Sequence, residues 1–304
     1  MSSILGRHLI LTGGSHVNRP RTIVVGIDGS ESADRAAIWA AHSAVVRNAV
    51  LRIVTAVAPQ LSPTSRDPGE TAQAVAGSRL DAARILARES VEGAPLDIVV
   101  EAREGNTVDV LLDESSRSDL VVLGARGLGE SDSGVLGSVA VALSAHCACP
   151  VVVVRGRSMD GLPPAQGPVV VGVDGSAINQ VAIAAAFDEA AQRGSALIAV
   201  HVWSDVSLAH GAGVPQDWEV ISASEQAVLA ESLAGWQEKY PDVEVRRVVA
   251  QDRPVRVLSQ LSEQAALIVV GSRGRGGFTG MLLGSTSYAL IQTADCPVMV
   301  VRGS

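Results

Sequence analysis

The chain has 304 residues, 47% hydrophobic and 18% charged, with a formal net charge of −8. That is material for two domains of ordinary size, and the absence of any Lys/Arg run argues against a nucleic-acid surface, which needs clustered cations to neutralise phosphates. No stretch reaches the ~18 apolar residues of a membrane helix.

Residues 1–19 hold one short apolar run, Ile4 to Leu11, broken by Arg7 and His8. With no charged n-region and no clean cleavage site, they read as a disordered leader and not as a signal peptide. A first domain, 20–156, follows. Its predicted strands are Ile23–Asp28, Leu51–Val57, Leu96–Ala102, Leu120–Gly124 and Val151–Arg155. After Asp28-Gly29-Ser30, the stripe Ala36, Ala37, Ala40, Ala41, Ala44 and Val45 predicts a helix whose small residues let it lie close on a sheet. Further helices are expected at Ala72–Glu92, Thr107–Ser116 and Ser138–His146. Residues 157–167, with Pro163-Pro164, read as a linker.

The second domain, 168–304, repeats the plan. Strands are predicted at Val169–Asp174, Leu197–Trp203, Val243–Val249, Leu267–Gly271 and Val298–Arg302. The stripe Ala182, Ile183, Ala186, Phe187, Ala190 and Ala191 marks the first helix, with others near Ser222–Lys239, Pro254–Gln264 and Ser285–Thr293. Most strands are continuous β-branched runs, which implies burial on both faces and hence a parallel sheet covered by helices. The expected class is α/β: two tandem doubly wound parallel five-stranded sheets, Rossmann-like, in strand order 3-2-1-4-5. The closing strands Val151–Arg155 and Val298–Arg302 are apolar up to their last residue and would lie at sheet edges unprotected by charge along their length. They are expected to pair across a pseudo-twofold between the domains, or between chains as a homodimer.

The repeat is visible in the residues themselves. Val24-Val-Gly-Ile-Asp-Gly-Ser30 returns as Val170-Val-Gly-Val-Asp-Gly-Ser176, and Cys149-Pro-Val-Val-Val-Val-Arg155 as Cys296-Pro-Val-Met-Val-Val-Arg302. A spaced glycine pattern also recurs. Gly124-Ala-Arg-Gly127, nine residues, then Gly137-Ser138 is matched by Gly271-Ser-Arg-Gly274, nine residues, then Gly284-Ser285. Each copy leaves a buried strand and enters a helix, where exposed backbone N–H groups suit a phosphate. Asp28 and Asp174 end the first strands, across the crevice from these loops. A carboxylate there suits ribose hydroxyls or an adenine amine. The alternative is that each Asp only shapes its Asp-Gly-Ser turn. Ser138 and Ser285 suit phosphate contact and helix capping equally.

These motifs together resemble the universal stress protein family, in its tandem two-domain bacterial form and ATP-binding branch. The resemblance covers about residue 20 to the C-terminus. It implies an adenine nucleotide in each crevice, with ATP as the cofactor, Mg²⁺ riding on its phosphates and no metal site of the protein's own. By position, Gly26 with Asp28, and Gly172 with Asp174, would contact adenosine. Ala56 and Val202 would line the adenine, and Asp205 would reach the second nucleoside. Gly124, Arg126, Gly127, Gly137, Ser138 and Val139 would hold phosphates in the first domain. Gly271, Ser272, Arg273, Gly274, Arg275, Gly276, Gly277, Gly284, Ser285 and Thr286 would do so in the second. The first loop carries Arg126 against Glu130 and Asp132, and the second Arg273 and Arg275 with no acid, so phosphate attraction is expected to be stronger in the second.

Dedicated catalysis finds little support. Neither loop contains a P-loop lysine, and no His-Glu-x-x-His, Gly-x-Ser-x-Gly or Asp-Phe-Gly pattern occurs. His201, Trp203 and Trp218 read as packed or hydrogen-bonded residues. Cys147, Cys149 and Cys296 lack zinc spacing and a paired framework, which fits reduced thiols in the cytoplasm. The expected function is an ATP-binding regulator of stress response or growth that an unidentified protein partner reads. The alternatives are a slow ATPase or nucleotidyl-transfer enzyme, and a structural module with decayed sites.

Overall fold

Alternating buried strands and alanine-striped helices fold into a single ten-stranded sheet. The computed structural model describes residues 20–58, 68–127, 136–155, 166–203, 218–275 and 282–303, the side chains of 68–71 and 218 excepted. The expected leader, most of the linker, and Glu130, Asp132, Asp205, Gly276 and Gly277 lie outside these residues.

In the first half, β1 (Thr22–Gly26), β2 (Val50–Val57), β3 (Ile98–Glu104), β4 (Leu120–Gly124) and β5 (Val151–Val154) alternate with α1 (Glu31–Arg47), α2 (Pro68–Ser90), α3 (Thr107–Ser115) and α4 (Ser138–His146). The second half has β6 (Val169–Val173), β7 (Leu197–Trp203), β8 (Val245–Gln251), β9 (Leu267–Gly271) and β10 (Val298–Val301). Its helices are α5 (Gln180–Arg193), α6 (Trp218–Ser232), α7 (Trp236–Lys239), α8 (Pro254–Ser262) and α9 (Ser285–Thr293). The sheet runs β3-β2-β1-β4-β5-β10-β9-β6-β7-β8. Each half therefore has the expected 3-2-1-4-5 order with parallel pairing.

The two expected sheets are joined into one. Strands β5 and β10 pair antiparallel, Val151 opposite Val300 and Val153 opposite Val298. The closing strands thus meet across the pseudo-twofold inside one chain. Their edges are consumed there, so these two strands no longer supply a reason for a homodimer.

Two apolar layers, one on each face, run through both halves. One joins α1, α2, α5 and α6 to residues such as Ile23, Val152, Val171 and Met299. The other joins α3, α4, α8 and α9 to Val24, Val153, Val170 and Val300. The inner strands are buried on both faces, as the β-branched runs require. Outer strands β3 and β8 are mostly half-buried or exposed.

The halves also meet where α1 crosses α5. Glu189, 4% exposed at its side chain, accepts from Arg47 of the other half and from Arg193 Nε at 3.1 Å. The Arg193 guanidinium lies 5.3 Å from the Trp39 ring centroid.

Candidate functional site

The first-half residues named from the sequence line one cleft beyond the carboxyl ends of β1 and β4. Gly26, Asp28, Ala56, Gly124, Arg126, Gly127, Gly137, Ser138 and Val139 all belong to it, and it encloses about 580 Å³ open to solvent. Ile27, Ala33, Val54, Leu111 and Leu123 give it an apolar lining together with Ala56, and Thr107 also lines it. Sequence reasoning missed Thr107 and Leu111. They stand on α3, whose place over the cleft is set by packing and not by any motif.

The glycines answer to different constraints. A Cβ on Gly124 would lie 2.6 Å from the Ser32 carbonyl carbon and oxygen, so this glycine lets α1 start against the end of β4. A Cβ on Gly127 would lie 2.8 Å from Asp28 Oδ2. The second half repeats that contact, Gly274 to Asp174 Oδ2, at 2.9 Å. Each Asp therefore sits directly under its loop.

The turn-forming role of these aspartates is realised. Asp28 Oδ1 accepts from the Ser30 N–H at 2.9 Å, and Asp174 Oδ1 from the Ser176 N–H at 2.8 Å. Asp174 Oδ2 also accepts from the Arg275 N–H at 3.0 Å, which latches the second loop to β6. A carboxylate has about four acceptor positions, so ligand hydroxyls remain within its capacity. Burial raises the neighbouring Asp34 carboxyl above its ordinary range, and the charges of Asp28 and Glu31 add to the effect.

Both loops return in the same way. Gly137 N–H donates to Ala125 O at 3.0 Å, and Gly284 N–H to Ser272 O at 2.7 Å. Each of these glycines is the N-cap of the helix that follows, α4 or α9, and neither provides a side-chain cap. Among the described residues, no acceptor meets the N–H groups of Ser138, Val139 and Ala140, nor those of Ser285, Thr286 and Ser287. These are the orphan donors of a helix start, carrying its positive dipole end.

In the second half Asp174 meets Gly274 and Arg275, and Gly284 meets Ser272 and Arg273 beside Gly271, at the ends of β6 and β9; Gly172 is the fourth residue of β6, and Ser285 and Thr286 open α9. Ser287 Oγ donates to Gly271 O at 2.6 Å, and Asn179 Nδ2 to Gly172 O at 3.0 Å. Val202 is half-buried on β7 and packs into the layer that contains α8. The Arg275 guanidinium folds back over Gly175, as Arg79 of α2 does over Gly29. Arg79 was invisible in the sequence, because α2 carries no motif.

His201 is a packed residue. Its Nδ1 lies 2.7 Å from Val173 O and must donate, and its Nε2 lies 2.6 Å from Glu225 Oε2. The thiols of Cys147, Cys149 and Cys296 are pushed up to about 11, 12 and 12, chiefly by burial. Among the described residues, no helix is long and apolar enough to cross a membrane.

The sequence model described as "Universal stress protein family" matches residues 20–155 and again 167–302. Universal stress protein Rv2623 of Mycobacterium tuberculosis is 42% identical over 288 residues, covering 93% of this chain and 96% of the relative. Universal stress protein Rv2005c of the same organism is 42% identical over 298 residues, covering 95% and 100%. A crystal structure of a universal stress protein from Archaeoglobus fulgidus DSM 4304 is 19% identical with a TM-score of 0.65, covering 93% of this chain and 96% of that one, and agrees in fold. Two matched domains and relatives alike over nearly their whole length place the chain in one family: it is a member of the universal stress protein family.

Proposed function

We propose that the chain binds an adenine nucleotide in each half and that its occupancy is read as a regulatory signal in stress response or growth. The observation that carries this is the convergence of nine sequence-named residues on one first-half cleft. The apolar lining fits a purine face. The open amides at the start of α4 fit phosphates. ATP is the nucleotide this arrangement favours, and any Mg²⁺ would come on its phosphates. Among the described residues, no cluster of three or more His, Cys, Asp or Glu could hold a metal by itself.

Binding is a better reading than turnover. His201, on β7, is buried with both ring nitrogens engaged, so it is not placed to act as a base. A cytoplasmic location fits three thiols held reduced.

The test is to acid-quench the freshly purified chain and quantify the released nucleotide, then repeat with Gly137→Asp and Gly284→Asp. An acid at either N-cap repels phosphate. The proposal expects adenine nucleotide from the wild type and about half as much from each variant. Wild-type protein that yields none, and that takes up none from a 1 mM ATP solution (a concentration at about the weakest affinity of interest), would refute it.

A further inference from the structure

We infer that Arg155, from the first half, is a positioning residue for the nucleotide site of the second half. This rests on the reading of that site given above. Arg155 follows β5 directly. Its Nε donates to Ala294 O at 3.0 Å and its Nη1 to Ile291 O at 2.7 Å. Those carbonyls end α9, the helix whose first residues, Ser285 and Thr286, face the proposed phosphate position.

The fork does two things. It satisfies carbonyls that a helix end leaves without partners, and it puts a cation where the helix dipole is negative. α9 has no basic residue in its own last turn, whereas α4 ends with His146. The cation at the end of α9 is imported across the junction. A helix of nine residues is a rod about 13 Å long, so fixing its far end fixes where its open amides point.

The same short stretch of chain touches the first loop. Val154 O accepts from the Ala125 N–H at 3.2 Å, and Ala125 O in turn accepts from the Gly137 N–H. Val154 and Arg155 therefore connect the loop of one half to the helix of the other. The arrangement is one-sided. Arg302 is the counterpart of Arg155 by sequence, but it is exposed, and among the described residues no side-chain hydrogen bond joins it to the carbonyls that end α4. The second site depends on the first half in a way that the first does not depend on the second.

The experiment uses the full-length chain, with ATP titrated calorimetrically in two backgrounds: Gly137→Asp to isolate the second site and Gly284→Asp to isolate the first. Arg155→Met should weaken the second site about tenfold and leave the first within twofold. Arg155→Lys keeps the charge but cannot bridge both carbonyls, and should recover part of the loss. Arg302→Met should change neither site. Amide exchange without nucleotide provides a separate reading: Arg155→Met should speed exchange through the last turn of α9 and leave α4 as it was. Second-site affinity unchanged by Arg155→Met, or a matched loss at the first site from Arg302→Met, would overturn the inference alone. A wild-type chain that binds no ATP at either site would overturn the reading of the sites, and this inference with it.

Discussion

Gly274→Ala adds one methyl group to the second loop, and the structure gives its consequence. The new carbon would lie 2.9 Å from Asp174 Oδ2 and 3.9 Å from Cγ. The carboxylate has to move, yet it is held by the Ser176 N–H at 2.8 Å and the Arg275 N–H at 3.0 Å. Moving away from residue 274 means giving up the Arg275 bond. A hydrogen bond to a charged acceptor is worth about 1.5–3 kcal/mol. Every 1.4 kcal/mol is about tenfold in affinity, so second-site ATP binding should fall roughly ten- to hundredfold. First-site binding should not change. The assay is calorimetric titration in the Gly137→Asp background, with a thermal melt on each variant. Gly77→Ala is the control: it lies inside α2, nothing stands within 4 Å of its new carbon, and it should stabilise the fold by about 0.5–1 kcal/mol. If Gly274→Ala binds ATP like the wild type, the latch between Asp174 and the loop does not hold the site.

Three other outcomes follow from the structure. Glu189→Ala leaves Arg47 and Arg193 facing each other without their shared acceptor, and should lower unfolding stability by about 3–5 kcal/mol; an unchanged denaturation midpoint would show that the junction contributes nothing. The Asp34 carboxyl is raised above 3.8 by burial first and then by Asp28 and Glu31, so it holds its proton more tightly folded than unfolded. Its ionisation therefore costs stability progressively as the pH rises from the unfolded value to the raised one, fully above that, and nothing well below both. Asp34→Asn should therefore melt at a higher temperature at pH 7, with the difference closing as the pH falls through the carboxyl range, and a difference independent of pH would contradict this cause. The Cys149 thiol, pushed up to about 12 by burial and then by Cys147 and Asp119, should react with a thiolate-selective reagent at pH 8 roughly a thousandfold more slowly than free cysteine; labelling at the free-thiol rate would show that its burial is lost in solution.

The sequence was most legible in the largely buried strands and in the helices that open after the spaced glycines. Leu120–Gly124, Leu197–Trp203 and Leu267–Gly271 are strands at the predicted residues, as Ser138–His146 and Ser285–Thr293 are helices. The outer strands were displaced by two residues. Leu96 and Val243 drew the prediction because they are apolar, and they are indeed buried, but they pack ahead of the ladder. Pairing starts at Ile98 and Val245, opposite Leu51 and Leu197, so the register of the neighbouring strand decides it. The predicted helix Ser222–Lys239 is split into α6 and α7 around Gly235, whose φ of +77° no continuous helix accommodates. In the candidate site, the spaced glycines and the strand-end aspartates were readable because their spacing repeats. Arg79, Thr107 and Leu111 were not, because they arrive from crossover helices by packing alone. Arg155 stood in plain view within a repeated motif, yet its partner carbonyls belong to the other half, and only the antiparallel meeting of β5 and β10 brings them within reach.

The central claim is that both halves hold an adenine nucleotide, and its most direct test is calorimetric titration of the nucleotide-free, full-length chain with ATP and Mg²⁺. The account predicts saturable binding of two ATP per chain, reduced to one by Gly137→Asp or Gly284→Asp alone and abolished by the pair. No saturable binding, or a stoichiometry that neither substitution changes, would contradict it.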